Sequence, residues 1–146
     1  MNITDLIAAE HGLLRFQFDY IRGIATANPA GPRVVGAGEM MAKLLMSHAR
    51  LEEDLLFAAL EPRLGSVGRP ATVVHRDEHR KIEKLFEDAL RHGSVLDGLM
   101  EAIDFALYHF RQEEEILLPL SARFLSASHL ERLGQVWAES RGVTGR

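Results

Sequence analysis

The chain has 146 residues, 47% of them hydrophobic and 26% charged, a composition that excludes a mainly disordered protein and fits one globular domain. Its formal charge is −4, which argues against a nucleic-acid binder, and no stretch reaches the ~18 apolar residues of a membrane span. Without cysteine it can build no disulfide, iron–sulfur cluster, thiolate zinc site or cysteine nucleophile.

The N-terminus, Met1-Asn2-Ile3-Thr4-Asp5, lacks the basic start and long apolar run of a signal peptide, so a cytoplasmic location is expected. From Ile3 to about Ala27, apolar residues recur at helical spacing: Ile3, Leu6, Ile7, Leu13, Leu14, Phe18, Ile21 and Ile24. Asn2 or Thr4 can cap this helix. Asn28-Pro29-Ala30-Gly31-Pro32 breaks it. A second helix is expected from about Arg33 to Leu60, with Val34, Met41, Leu44, Leu45, Leu51, Leu55 and Leu56 as its stripe. Glu61 to Pro70 reads as a loop, because Pro62 disfavours helical geometry before it and two glycines follow.

The third helix runs from about Ala71 to Arg91, on Val74, Ile82, Leu85, Phe86, Ala89 and Leu90, and His92-Gly93 is its expected stop. Ser94 can cap a fourth helix reaching about Phe124, with Pro119 bending its last turns. Ser128-His129-Leu130-Glu131 resembles a capping box opening a short fifth helix to about Glu139, followed by a frayed tail. The expectation is an all-α fold: an up-down-up-down four-helix bundle with a short fifth C-terminal helix. It would form one domain over residues 1–146, with its core at about 1–124 and the last helix at about 128–140.

Seven histidines are spread along these helices. His48 and Glu52, His75 and His79, His79 and Glu83, and His109 and Glu113 are each four residues apart, so each pair projects from one helix face. Given the chain's His and Glu content, roughly one such pair is expected by chance. Depth adds a second constraint. His11 lies about 16 residues before the end of helix one, and His48 and Glu52 lie about 15 and 19 residues into helix two, so an antiparallel pair brings them level. His75, His79, His109 and Glu113 match in the same way across helices three and four, and the loop at 61–70 absorbs a residual offset.

Such groups are costly in a bundle interior unless paired or metal-bound. His11, His48, Glu52, His75, His79, His109 and Glu113 are therefore candidate metal ligands. Zinc usually takes four ligands, and calcium and magnesium prefer oxygen; imidazole with carboxylate suits iron, and copper or manganese less well. Two six-coordinate irons would have one open position left after five imidazoles, two bridging carboxylates and a bridging oxygen are counted.

His11, His48-Ala-Arg-Leu-Glu52, His75-Arg-Asp-Glu-His79 and His109-Phe-Arg-Gln-Glu113 closely resemble the hemerythrins, in particular the bacterial branch with the HHE cation-binding domain. The flanks, Glu53-Asp54-Leu55-Leu56-Phe57 and Glu114-Glu115-Ile116-Leu117-Leu118-Pro119, resemble that domain's two repeated signatures. The resemblance implies a pair of iron ions with an oxo or hydroxo bridge. His75, His79 and His109 would hold the saturated iron, and His11 and His48 the iron with the open position. Glu52 and Glu113 would bridge. One departure is that oxygen-carrying hemerythrins end in His-x4-Asp, whereas this chain has His109-x3-Glu113.

The function implied is binding of O2, or of a related diatomic or peroxide ligand, for oxygen binding, storage or sensing. The alternative is a di-iron enzyme handling hydrogen peroxide or nitric oxide in stress defence. No nucleic acid or membrane is expected as partner, and no catalytic side chain is singled out. Where the carriers place a bulky apolar residue over bound oxygen, the matching position is Ala106, which leads us to expect room for water or peroxide. Of the remaining charges, Glu53, Glu114 and Glu115 read as solvated or supporting groups, and Asp77, Glu78 or Glu83 could orient an imidazole. His92 would help end helix three, His129 would face solvent, and Trp137 would dock the last helix.

Overall fold

The computed structural model describes residues 1–29, 31–91 and 95–143, with the backbone alone for 66–70. The expected stop at His92-Gly93, the cap at Ser94 and the last tail residues lie outside this set. The fold is all-α, and the described residues contain no strand. Helix α1 spans Ile3–Ala27, α2 Pro32–Leu51, α3 Ala58–Arg91, α4 Val95–Gln112, α5 Leu118–Phe124 and α6 Ala127–Ser140. Asn2 caps α1 in a reciprocal box, its side chain accepting from the Asp5 amide at 3.1 Å. At α6 the cap is Ser126 and not Ser128: the Ser126 hydroxyl accepts the His129 amide.

Two helical joints differ from the sequence expectation. Between α2 and α3, and again between α4 and α5, the chain continues as a π-helical turn, at Glu52–Phe57 and Glu113–Leu117. The cause is the spacing of buried residues. His48, Glu52, Leu56, Leu60 and Leu64 follow at strict steps of four, as do His109, Glu113, Leu117 and Ser121. Each such step overshoots an α-helical turn by about 40°. The wider i→i+5 turn winds the accumulated drift back and keeps the whole row inward. Pro119, expected to bend the helix, sits in the first turn of α5 just after the second π turn, where its missing N–H is least costly.

The loop expected at 61–70 is the second difference. Helical backbone continues through Ala58–Arg91 and departs only at Gly65, with φ 60° and ψ −162°. There the chain reverses. Arg76 reaches back to Glu61 at 3.0 Å, whereas 15 residues of straight helix would hold them about 22 Å apart. These dihedrals are open almost solely to glycine. Gly65→Ala is therefore expected to cost about 1–3 kcal/mol, seen as a lower thermal midpoint. An unchanged midpoint would mean that the reversal does not depend on this residue.

The four bundle limbs close a ring, α1 against α2 and α4, and α3 against α2 and α4. The core divides into two apolar clusters. One holds Leu14, Phe18, Leu45, Ile82, Phe86, Ile103 and Phe110; the other holds Ile3, Ile7, Leu56, Phe57, Leu60, Leu117 and Trp137. His11, His48, Glu52 and Glu113 fall between them in the sequence of each limb and form a buried polar layer. Trp137 docks α6 as expected. Leu13, Leu44 and Val74, expected on inward stripes, are exposed because each lies one residue off the buried row of its helix. No helix among the described residues is long and apolar enough to cross a membrane.

Candidate metal centre

Six of the candidate side chains converge as two buried quartets with two members in common. His11, His48, Glu52 and Glu113 form one; Glu52, His79, His109 and Glu113 form the other. Each carboxylate divides its oxygens between them. Glu52 turns Oε1 to His48 Nε2 and Oε2 to His79 Nε2, both at 3.3 Å. Glu113 turns Oε2 to His11 Nε2 and Oε1 to His109 Nε2, again at 3.3 Å. His11 Nε2 and His48 Nε2 stand 3.0 Å apart.

These spacings suit ions at the two centres. Donors bound at about 2.1 Å and at right angles lie about 3.0 Å from each other. Among the described residues, both oxygens of Glu52, both of Glu113, and Nε2 of His79 and of His109 are buried without a hydrogen-bond partner. Buried polar atoms are rarely left so. Here they point at common centres, and an ion at each centre would satisfy them.

The outer nitrogens of the imidazoles meet a second ring of carboxylates. His11 Nδ1 pairs with Glu114 at 2.9 Å, and Arg15 clamps Glu114 through both guanidinium nitrogens at 2.8 and 2.9 Å. His79 Nδ1 pairs with Glu53 at 2.7 Å, and Arg76 ties Glu53 to Glu61. Glu78 serves both His109 at 2.7 Å and His75 at 3.1 Å. His48 Nδ1 faces Glu10 at 3.5 Å. With Nδ1–H of His11, His79 and His109 donating outward, their Nε2 lone pairs are left for the centre. Glu53 and Glu114 are thus supporting groups, and Glu78 is the one of its trio that orients imidazoles. Asp77 pairs with Arg80 instead, and Glu83 lines a surface groove. Glu10 was missed, since nothing in its own segment marks it: its partners are on α2 and beyond α6.

Aromatic rings hold the imidazoles in plane. Phe110 stacks on His11 with centroids 4.1 Å apart, and Phe57 stacks on His79 at 5.7 Å. The electrostatics follow from carboxylates and imidazoles sharing a dry layer. Burial opposes charge on His48, but Glu52, Glu10 and Glu113 outweigh it and lift its pKa to about 9. For His79, burial is outweighed by the close carboxylates of Glu113, Glu52 and Glu53, and the value rises to about 11. His109 is raised against burial by Glu113 and Glu78. Burial and the charge of Glu113 work to raise Glu52, but His48 and His79 prevail and bring it to about 2. Glu113 is held well below the usual carboxylate range, against burial, by His109, His11 and His79.

His75 stands apart from both quartets. It is buried, edge-on to His109 with centroids 5.4 Å apart, and it clusters with Glu78 and His109. Burial, its largest influence, lowers its pKa. Beside the layer is a cavity of about 10 Å³ lined by Leu45, Met46, His48, Ala49, His79, Ile82, His109 and Phe110. Ala106 does not line it. Ala106 is fully buried in the apolar cluster with Phe18 and Phe110, so the room expected there is filled by core packing.

Comparison with curated proteins and with solved structures returns no match. The profile of the hemerythrin HHE cation-binding domain matches residues 2–126, which takes in every residue of both quartets. With four bundle limbs around a buried His/Glu layer able to hold metal, the chain belongs to the hemerythrin HHE cation-binding domain family.

Proposed function

We propose that this chain binds O2, or a related small ligand, at one open position of a non-haem di-iron pair, for oxygen binding, storage or sensing in the cytoplasm. The observation that carries this reading is the sharing of Glu52 and Glu113 between two buried quartets, one oxygen to each side. His11 and His48 serve one ion. His79 and His109 serve the other, with His75 as its third imidazole. Five imidazoles and two carboxylates suit iron better than zinc, calcium or magnesium. The pair, when bound, supplies redox chemistry and, at the ion with two imidazoles, a vacant coordination position.

The protein's own residues restrict what reaches that position. The cavity holds about one water-sized molecule. Its non-histidine walls are Leu45, Met46, Ala49, Ile82 and Phe110, which exclude bulk water and larger substrates. This favours binding over turnover of peroxide or nitric oxide, which would need protons delivered through that wall. Anaerobic loading with ferrous iron, then exposure to O2, tests the reading. We expect two irons per chain and an optical change that reverses when O2 is withdrawn. One zinc per chain after iron-replete expression would overturn the di-iron reading, and rapid peroxide loss without reversal would favour the enzyme.

A further inference from the structure

The family match ends at residue 126, and α6 follows it. Yet α6 is built into the His48 side of the centre. It lies on α1 with Leu130, Gly134 and Trp137 buried, and its approach is so close that a Cβ at Gly134 would fall 2.6 Å from the Met1 carbonyl oxygen. The Trp137 indole meets the His48 ring edge-on, with centroids 5.5 Å apart and planes at 82°. Just past the helix, Arg141 bridges two limbs of the bundle. Its Nη2 donates to Glu10 Oε1 at 2.5 Å, and its Nη1 to Ser47 Oγ at 2.7 Å. Glu10 Oε2 is the atom that faces His48 Nδ1, at the ion-pair distance of 3.5 Å and short of a hydrogen bond.

Three supporting carboxylates have comparable jobs, but their anchors differ in origin. Arg15 on α1 holds Glu114, and Arg76 on α3 holds Glu53, so those clamps belong to the bundle itself. The clamp on Glu10 comes from beyond it. We infer that α6 and Arg141 act as a separate positioning device for His48: Arg141 holds Glu10 against the His48 Nδ1–H while Trp137 blocks rotation of the ring. The C-terminal segment then sets the affinity of the ion held by His11 and His48, and leaves the other ion alone. This rests on the two-ion reading above.

The physical link is tautomer and orientation. With Arg141 in place, Glu10 cannot swing out to water, although its side chain is only partly buried at 22% exposure. Without Arg141, Glu10 is free to solvate, and His48 loses the partner that fixes its outward N–H. Losing such an outer partner costs roughly 10–100-fold in metal affinity. The ion of His79 and His109 touches none of these groups and should not respond.

Cobalt(II) titration of the full-length chain separates the outcomes, with proton NMR of the paramagnetic product as a readout independent of activity. Each coordinated imidazole shows a hyperfine-shifted Nδ1–H signal whose solvent exchange reports its hydrogen bond. For Arg141→Ala we expect one binding step to weaken roughly 10–100-fold and the other to stay within about twofold, with a single imidazole N–H signal broadened by exchange. Arg141→Lys should restore much of both. Gly134→Ala, which displaces α6 and the Arg141 clamp at its end, should weaken the same step. A wild type with two steps that are both unmoved by Arg141→Ala, or both equally weakened, overturns the role of Arg141. A wild type that takes a single cobalt overturns the two-ion reading, and the separate His48 site with it.

Discussion

Glu113→Ala is expected to abolish the paired centre, with metal content falling from two ions per chain to one or none. Glu113 is fully buried and is one of the two residues present in both quartets, so its loss leaves each with three donors. The vacated charge also leaves His109, His11 and His79 without the carboxylate they share. Glu114→Ala, one residue along, is expected to be far milder. Glu114 touches only His11 Nδ1 and Arg15, and removing such an outer partner costs roughly 10–100-fold at a single ion. Metal analysis after gel filtration and a binding isotherm for both variants check the contrast. Equal losses would place the bridge at the wrong residue. Glu52→Ala against Glu53→Ala should repeat the result, because Glu53 faces His79 Nδ1 as Glu114 faces His11.

Metal removal should turn the pH dependence of stability around. In the metal-free chain, His48 and His79 have values raised from 6.5 to about 9 and about 11. Their contribution is complete below 6.5 and is lost as pH climbs through those raised values. Glu52 is lowered from 4.5 to about 2, so its contribution is complete above 4.5 and is lost as pH falls toward 2. The metal-free chain should therefore be most stable between about 4.5 and 6.5. His75 works the other way: its lowered value trims stability on the acid side of 6.5. A bound ion needs the same imidazoles without their protons, so uptake releases protons and tightens as pH rises. The gap in melting midpoint between loaded and metal-free protein should widen from pH 6.5 to about 9. Calorimetry on chelator-stripped and reloaded samples measures it. A metal-free midpoint that rises steadily over that range would contradict this account.

Much of this was legible because helical periodicity is local. The stripe from Ile3 to Ile24 and the cap at Asn2 specify α1 from neighbouring residues alone. The pairs His48/Glu52 and His109/Glu113 mark their faces in the same way. The reversal at Gly65 was read as a long loop because Pro62 and two glycines looked like a tract of breakers, whereas one glycine suffices when its φ is positive. The π turns were missed by scanning with a fixed period of 3.6, although the unbroken steps of four through Glu52 and Glu113 carry the signal. Glu10 and Arg141 could not be found from spacing. They are 131 residues apart, and only packing of α6 on α1 joins them. His75, placed by its motif beside His79, shares Glu78 with His109 and lies outside both quartets.

The two π turns have a consequence for how the chain can change in length. Asp54 and Glu115 occupy the same place in their turns, two residues past the shared carboxylate, and both side chains are exposed. Substituting either alters only a solvated group. Deleting either removes the extra residue of its turn and restores an α-helical path. Five steps of the wide turn and four of an α-helix both come to roughly 400°, so everything downstream keeps its face relative to the carboxylate. After Asp54 that leaves Leu60 facing the core and the Phe57 ring on the His79 side. After Glu115 it leaves Ser121 inward. Two positions whose side chains carry nothing are thus also positions whose loss the helices can absorb: neither identity nor number is fixed there.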